Sequence, residues 1–236
     1  MDLNGQLRLH ERCNVRAVRV GREALPVLVV DDFLSSPQVL VEYAAQATFD
    51  AVTDASYPGR RAPLPGIYCF ALRAFLGGFI EQAFGLPAAR VVRELSHFSL
   101  VTTPPGELTP VQRMPHFDNP DPGQLAVLHY LCDSAHGGTS FYRHRSTGFE
   151  FIDASRTSVY SKAITQELAA TGPPPPRYIR GDDAQFERTA SFDCVFNRVL
   201  VYRSIDLHSA DIGPDCRFDG DPRSGRLTAN TFFFYR

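Results

Sequence analysis

Lysine is almost absent from this chain of 236 residues: its 24 basic residues are 23 arginines and a single lysine, Lys162. A Walker-type phosphate loop places its lysine directly after a glycine-rich run, whereas Lys162 follows Ser161, so this class of nucleotide site is excluded. Chemistry that needs a lysine Schiff base has only one candidate residue. The patterns GxSxG, HExxH and GxGxxG are also missing, so hydrolase, zincin and dinucleotide-binding functions lose their usual support.

Cysteine is scarce, and the five cysteines form no CxxC pair. This pattern favours free thiols in a reducing compartment over a disulfide framework or a zinc knuckle. The N-terminal segment has no apolar signal core, and the longest apolar runs, 25–30 and 232–235, are too short to span a bilayer. We therefore expect a cytoplasmic protein with no membrane partner.

Neither sign of charge predominates, since 24 basic residues stand against 26 acidic residues and the net charge is -2. Such a balance provides no general attraction to phosphate backbones, so nucleic acid is not expected as a partner. Hydrophobic residues make up 44% and charged residues 21% of the chain, which is typical of a globular protein and excludes a disordered or fibrous one.

Hydrophobic periodicity predicts helices early in the chain and strands later. Residues 15–31 alternate as one or two strands, and helices are predicted from about residue 37 to 47 and from about 69 to 85. The segment 54–66 between these helices is rich in proline, glycine and arginine and is predicted to be a loop. The later part has one predicted helix, at 157–170, and predicted strands at 90–102, 124–132, 138–143, 148–152, 193–203 and 225–235.

Short strands flanked by two early helices predict a mainly β structure with flanking helices (α+β), built as a double-stranded β-helix, which is a jelly-roll, cupin-like barrel. The sequence shows no internal repeat and no domain-sized break in composition. We therefore expect a single domain over residues 1–236. Its helical buttress falls mostly within 32–88 and its β-helix core within 90–236.

One group of polar residues is suited to holding a metal ion. His116 and Asp118 stand two apart, so in an extended segment both side chains point to the same side. This spacing alone is common, but His208 lies just beyond a predicted strand and can supply a third ligand. Two histidines and one carboxylate form the facial triad of non-haem Fe(II) oxygenases, whereas zinc prefers a closed tetrahedron. Iron is the favoured metal, and manganese stays open.

A second polar group lies on the predicted C-terminal strand. Alternation places Arg226, Thr228 and Asn230 on one strand face. A buried arginine requires an anion, its guanidinium matches a carboxylate in two-point contact, and Thr228 adds a hydroxyl. A dicarboxylic cosubstrate meets these requirements.

Several motifs in a fixed order connect these two groups. They are HFDNP at 116–120, LAVLHYL at 125–131, GGTSF at 137–141, His208, and RLT at 226–228, preceded near the N-terminus by VVDDFL at 29–34. In this order the chain resembles the 2-oxoglutarate/Fe(II)-dependent dioxygenases, particularly the prolyl-hydroxylase-like branch. The resemblance covers roughly residues 90 to 236.

The resemblance implies a role for each matched residue. It implies that His116, Asp118 and His208 bind Fe(II), and that Arg226 and Thr228 hold the distal carboxylate of 2-oxoglutarate. It also implies that the hydroxyl of Tyr130 reaches the same carboxylate. Arg226 departs from the family pattern because it lies 18 residues beyond His208, farther than is usual. Arg217 and Arg223 are therefore rivals, although only Arg226 opens a predicted strand.

The expected activity is hydroxylation of an amino acid, a peptide or protein side chain, or a small natural product. Dioxygen and 2-oxoglutarate would be consumed, with succinate and carbon dioxide as coproducts. A non-catalytic sensor that binds metal or 2-oxoglutarate on the same fold is the main alternative, and an isomerase or lyase that needs no 2-oxoglutarate is a third. The oligomeric state is left open, and a homodimer is compatible with the sequence.

Overall fold

The computed structural model describes residue 3 and residues 5–52 and 57–236. Three α-helices lie in this part of the chain, α1 (Gln38–Ala44), α2 (Gly66–Phe84) and α3 (Thr157–Thr171). The strands are β1 (Asn14–Val20), β2 (Leu25–Asp31), β3 (Asp50–Ala51), β4 (Gly59–Pro63), β5 (Val91–Val101), β6 (Gln124–Tyr130), β7 (Gly138–His144), β8 (Phe186–Phe192), β9 (Val199–Arg203), β10 (His208–Asp211) and β11 (Arg226–Tyr235).

The strands form two antiparallel sheets. Eight of them make one sheet in the order β1-β2-β9-β6-β11-β5-β4-β3, and the other three make a smaller sheet in the order β10-β7-β8. The centre of the large sheet is β11, which pairs with β6 on one side and with β5 on the other. The structure is thus mostly β with helices added, as the sequence predicts.

Strand β2 shows how the large sheet separates two hydrophobic cores. Its sequence LPVLVVD is apolar almost throughout because both faces of the strand are covered. Leu28 and Val30 join the core on the helix side, which also contains Leu72 of α2. Val27 and Val29 point the other way, into a core shared with the small sheet. The space between the two sheets therefore has an apolar wall.

Helix α2 covers the outer face of the large sheet. Leu72, Leu76 and Ile80 are buried there, and each such side chain contributes about 1.5–3 kcal/mol of hydrophobic stabilisation. The helix is also apolar on its other side, where Phe70 is 62% exposed. By length and composition α2 could cross a membrane, and it is the one such helix in the described residues. Core helices of soluble proteins pass the same test, and 44% of this segment is buried within the fold.

The prediction of a loop over 54–66 is wrong for its second half, because residues 59–63 form β4; residues 53–56 lie outside the described part of the chain. Pro63, which cannot donate a ladder hydrogen bond, stands at the end of this strand. The neighbour on the outer side, β3, has only two residues, so β4 lies close to the sheet edge, where proline and glycine are tolerated.

Further differences concern short strands. The predicted strand at 148–152 is reduced to an isolated bridge between Phe151 and Asp206, and β8 was not predicted because one of its faces is polar and partly exposed. The predicted strand at 193–203 begins only at residue 199, since Asn197 adopts a left-handed conformation with φ of 67°. The short strands β3 and β10 were also not predicted, whereas the remaining strands and α3 agree with the predictions to within a few residues.

Candidate metal centre

His116 and His208 are held side by side by their main chains. The His116 amide donates to the His208 carbonyl at 2.9 Å, and the His208 amide donates back to the His116 carbonyl at 2.8 Å. They form an isolated antiparallel bridge at the start of β10. Side chains that face each other in such a pair lie on the same side, and the two imidazole rings are 4.4 Å apart between centroids.

Asp118 reaches the same point because the segment 116–118 is extended. The Asp118 amide donates to the Ser204 carbonyl at 2.8 Å, which anchors the segment beside the end of β9. Phe117 points to the opposite side and packs on Tyr160 of α3, with ring centroids 6.2 Å apart. This apolar contact turns the side chains on either side of Phe117 toward the inter-sheet space.

The three side chains converge on one point. One oxygen of Asp118 lies 3.6 Å from Nε2 of His116, and the other lies 3.8 Å from Nε2 of His208. Taking one donor atom from each residue, all the atoms lie within 4.8 Å of one another. His116, Asp118 and His208 can therefore hold one metal ion.

The orientation of the His208 ring is fixed by a hydrogen bond of the ring nitrogen that does not face Asp118. Its Nδ1 donates to the main-chain carbonyl of Asp206 at 2.9 Å, which leaves the Nε2 lone pair facing Asp118. A bond of this kind fixes the tautomer and the ring plane of a metal-binding histidine. The rings of Tyr202 and Phe141 pack against His208 at 4.8 and 6.3 Å between centroids and cover its apolar edges.

The electrostatics keep both imidazoles neutral at neutral pH. Desolvation by burial lowers the pKa of His208 to about 4. Desolvation together with the neighbouring His208 ring lowers the pKa of His116 to about 4 as well, although the Asp118 carboxylate opposes this shift. The His116 side chain is nevertheless 46% exposed, so this face of the cluster is open to solvent. Burial raises the pKa of Asp118, and its electrostatic interactions with His116, once that ring is protonated in acid, and with Arg61 oppose this shift. Neutral imidazole is the form that binds metals, and a bound cation would stabilise the carboxylate.

Arg61 lies near this cluster, in the segment that the sequence predicts as a loop. As the middle residue of β4 it pairs with Ser99 of β5, and its guanidinium lies over the ring of Tyr57 at 4.9 Å. Burial raises the pKa of Tyr57 to about 12, so its hydroxyl stays protonated. The signal available in the sequence was the spacing of residues 59, 61 and 63, which puts their side chains on the same face if the segment is a strand.

Arg226 lies inside the fold. It is 3% exposed, and its guanidinium donates to the main-chain carbonyls of His136 at 3.2 Å and Gly138 at 3.0 Å. Within the described residues no carboxylate forms an ion pair with it. The rivals Arg217 and Arg223 are exposed on the surface, and Arg223 pairs there with Glu42 at 2.7 Å. Of the three arginines, Arg226 is the one that faces the interior.

Tyr130 and Thr228 adjoin Arg226. They stand opposite each other in the register of β6 and β11, and the Tyr130 ring lies 5.8 Å from the guanidinium carbon of Arg226. The Tyr130 hydroxyl shares a hydrogen bond of 2.7 Å with Thr139 of β7. This group therefore spans both sheets.

Asn230 completes the row on β11. Its Nδ2 donates to the Ser99 hydroxyl at 3.1 Å, whereas its Oδ1 is buried without a hydrogen-bond partner among the described residues. An unsatisfied buried acceptor is costly and indicates that a ligand or a water donates to it. We call Arg226, Thr228, Tyr130 and Asn230 the anion cradle.

Tyr202 connects the anion cradle to the metal centre. Burial raises the pKa of its hydroxyl, the Asp118 charge and the Tyr130 hydroxyl raise it further, and the Arg226 charge opposes them. The hydroxyl therefore lies within the electrostatic reach of both polar groups. By contrast His129, beside Tyr130 on β6, points to the helix side and bonds the Tyr68 hydroxyl at 2.9 Å, as expected for a packing residue.

Comparison with solved structures finds similar chains at low identity. One is the non-heme alpha ketoglutarate dependent epimerase SnoN from nogalamycin biosynthesis, with a TM-score of 0.48 and 13% identity, covering 89% of this chain and 80% of that chain. A second is the non-heme alpha ketoglutarate dependent carbocyclase SnoK from the same biosynthesis, with a TM-score of 0.47, 13% identity and coverage of 89% and 81%. A third is an N-substituted L-amino acid dioxygenase from Burkholderia ambifaria AMMD, with a TM-score of 0.41, 11% identity and coverage of 95% and 94%.

No curated protein matches the chain in sequence. One protein family does match, over residues 11–233, a range that takes in the metal centre, the anion cradle and both sheets. Its description is "Family of unknown function" and assigns no activity. Because the match extends over nearly the whole chain, the protein belongs to this family, DUF6445.

Proposed function

We propose that the protein is an Fe(II)- and 2-oxoglutarate-dependent dioxygenase. Its substrate would be an amino acid, a peptide or protein side chain, or a small natural product, and its reaction hydroxylation. The observation that carries the proposal is the convergence of His116, Asp118 and His208, whose ligand atoms lie within 4.8 Å of one another. The anion cradle on the neighbouring strands supports it.

The donor set fits ferrous iron. Two neutral imidazoles and one carboxylate on one side of an ion leave the other positions free for further ligands, which is the arrangement of non-haem Fe(II) oxygenases. A structural zinc site would need a fourth protein ligand, and the described residues provide no further histidine, cysteine or acidic group to this cluster. Manganese shares the preference for such ligands and serves as an inactive probe of the same site.

The anion cradle fits a diacid. Arg226 uses Nε and one N–H of Nη2 on carbonyl groups, so its remaining N–H donors can bind a carboxylate. Its buried charge has no carboxylate counterpart among the described residues, and a buried charge without a counterion is costly. The hydroxyls of Thr228 and Tyr130 supply further donors. A bound 2-oxoglutarate would satisfy this group with one end and reach the metal with the other.

The two facing antiparallel sheets are consistent with a double-stranded β-helix, and we infer that the chain from 90 onward forms this core, with β1, β2 and β4 extending its large sheet. The order of the motifs favours the prolyl-hydroxylase-like branch. The single domain over residues 1–236 and the cytoplasmic location are parts of the same proposal.

When bound, ferrous iron and 2-oxoglutarate would supply the dioxygen chemistry, in which 2-oxoglutarate becomes succinate and carbon dioxide while a substrate C–H bond gains a hydroxyl. The chain positions these groups. The Asp206 carbonyl holds the His208 ring by its Nδ1 proton, and Phe117 anchors the segment that carries Asp118. Phe141 and Tyr202 shield His208 from water, and burial keeps the Tyr202 hydroxyl protonated.

The test is succinate release by the full chain, loaded anaerobically with Fe(II) and then given oxygen, 2-oxoglutarate and a panel of substrates. We expect His116→Ala and His208→Ala to abolish turnover, and His10→Ala, at a partly exposed position outside this cluster, to retain it. Wild-type turnover in both ligand variants would refute the assignment. Tight binding of Mn(II) and 2-oxoglutarate without oxygen consumption across the panel would instead favour the non-catalytic sensor.

A further inference from the structure

Cys132 and Cys194 come from distant parts of the chain and meet in the interior. Their Sγ atoms lie 3.5 Å apart although 62 residues separate them in sequence, and both thiols are free. Cys132 follows β6 by two residues, and Cys194 follows β8 by two residues. They are 6% and 1% exposed, and both belong to the core between the sheets.

The surroundings distinguish the two thiols. The hydrogen bond between the two thiols lowers the pKa of Cys194; burial opposes this shift, and the positive charge of Arg226 supports it. In its protonated form the Cys194 thiol also donates to the Cys132 carbonyl at 3.4 Å. The pKa of Cys132 is raised well above its ordinary value by the same contact and by burial. Thiolate character is therefore concentrated on Cys194, and the thiolate is the form that reacts with oxidants.

We propose that Cys132 and Cys194 form a redox modification site that closes to an intramolecular disulfide on oxidation by hydrogen peroxide. The Cys194 thiolate attacks one peroxide oxygen, the O–O bond breaks, and the second oxygen leaves as water after taking a proton. The sulfur of Cys132 then attacks the sulfur of the resulting sulfenic acid, and the S–O bond breaks. The hydroxyl group takes up the Cys132 proton and leaves as a second water. Two thiols and one peroxide thus give one disulfide and two waters, and the two electrons reduce the peroxide.

The geometry allows closure with a small movement. A disulfide needs a sulfur separation of about 2.05 Å, so the two atoms must approach by about 1.5 Å. Cys132 stands at the base of the turn that leads to Gly138, and the carbonyls of His136 and Gly138 in this turn hold Arg226. Closure therefore pulls on the anion cradle, and we expect the oxidised protein to bind 2-oxoglutarate more weakly. This last consequence rests on the proposed function, whereas the disulfide chemistry does not.

The experiment treats the reduced full chain, free of added iron and in the presence of a chelator, with stoichiometric hydrogen peroxide. We expect the loss of two of the five thiols per chain and a crosslinked peptide containing Cys132 and Cys194, both reversed by dithiothreitol. Cys216→Ser is the matched control, because Cys216 is similarly buried, at 6% exposure, but its thiol bonds the Arg217 carbonyl and forms no thiol–thiol contact among the described residues. This variant must still lose two thiols. Cys132→Ser must form no crosslink and must instead give a Cys194 sulfenic acid that dimedone traps.

Two results would overturn the proposal. One is the survival of both thiols while the partly exposed Cys13 is oxidised, and the other is oxidation of Cys194 to sulfinic acid in the wild type without a crosslink. If Cys132→Ser fails to fold, Cys132→Ala replaces it, since both remove the thiol. Binding of 2-oxoglutarate to the oxidised and reduced wild type, with Mn(II) as the metal, is measured separately. If the crosslink forms but the reduced protein does not bind 2-oxoglutarate, the disulfide is supported and only the proposed function is contradicted. If the oxidised and reduced proteins bind 2-oxoglutarate with equal affinity, the coupling of the disulfide to the anion cradle is refuted.

Discussion

His116 and His208 exchange both of their main-chain hydrogen bonds, of 2.9 and 2.8 Å, although they belong to distant segments. The pairing fixes the separation of the two rings before any metal binds, because the backbone and not a flexible loop determines it. Asp118 is fixed in the same way through its amide bond to Ser204. The candidate metal centre is therefore preorganised by the sheet, and substitutions of single side chains can test it without moving the backbone.

Asp118→Asn should weaken metal binding while leaving the fold intact. The amide keeps the shape of the carboxylate but removes the negative charge, which is the one anionic ligand of the cluster. Removal of groups that merely support a metal ligand costs about 10–100-fold in affinity, so we expect a loss beyond this range. Titration with Mn(II), followed by electron paramagnetic resonance, measures it. Asp215→Asn, at an exposed position, is the control, and equal affinity in both variants would contradict the metal site.

Arg226→Lys should raise the KM for 2-oxoglutarate more than it lowers kcat. Lysine keeps the charge but loses the planar donor fork, and loss of a buried charged hydrogen bond costs about 2–5 kcal/mol, or about 30-fold and more in affinity. Steady-state kinetics with a varied 2-oxoglutarate concentration test this. Arg223→Lys, on the surface beside Glu42, should behave as the wild type. A large effect at Arg223 with none at Arg226 would show that the cradle is placed wrongly.

Asp211→Asn should destabilise the protein more at neutral pH than in acid. Burial alone would raise the pKa of Asp211, but hydrogen bonds from Ser140 at 2.7 Å and Arg180 at 2.9 Å, with the charges of Arg180 and Arg188, lower it overall. A carboxyl whose pKa is lower in the folded state stabilises the fold above its unfolded pKa of about 4. This contribution is lost as the pH falls through the folded pKa.

The free energy of unfolding in urea, at pH 7 and at pH 3, measures this contribution. Because Arg180 and Arg188 are partly exposed and solvent screens them, we expect a difference of only about 1 kcal/mol at pH 7. The difference should shrink at pH 3. Asp215→Asn, at an exposed position, is the control. If Asp211→Asn lowers the free energy of unfolding equally at both pH values, the ionised form of Asp211 is not what stabilises the fold.

Gly138→Ala should disturb both the small sheet and the anion cradle. A Cβ at this position would lie 1.9 Å from the Phe192 carbonyl oxygen of the neighbouring strand, so the backbone must move. The Gly138 carbonyl also accepts a hydrogen bond from Arg226. We expect a lower melting temperature, with a loss of about 1–3 kcal/mol of stability, together with weaker 2-oxoglutarate binding. Gly220→Ala, with nothing within 4 Å of the added carbon, should change neither quantity.

The pattern of the sequence was informative wherever a local rule decided the structure. Strand β11 and helix α3 lie within a residue or two of their predicted bounds, because a long alternating run and a regular helical run are patterns that a short stretch of sequence already contains. Strand β4 was missed because its glycine, arginines and proline match the composition of a loop. Only pairing with β5 makes these residues a strand, and with it Arg61 becomes part of the site.

The amino-acid sequence by itself determined the alternation that places His116 beside Asp118, the row of polar residues on β11, and the absence of lysine-dependent sites, since each depends on residue type and a spacing of a few positions. The tertiary structure decided which residues from remote segments meet. It set His208 against His116, directed Arg226 to three successive carbonyls of the 136–138 turn, and brought Cys194 within 3.5 Å of Cys132. Such contacts arise from the register and packing of whole sheets, a property that no short stretch of the chain encodes.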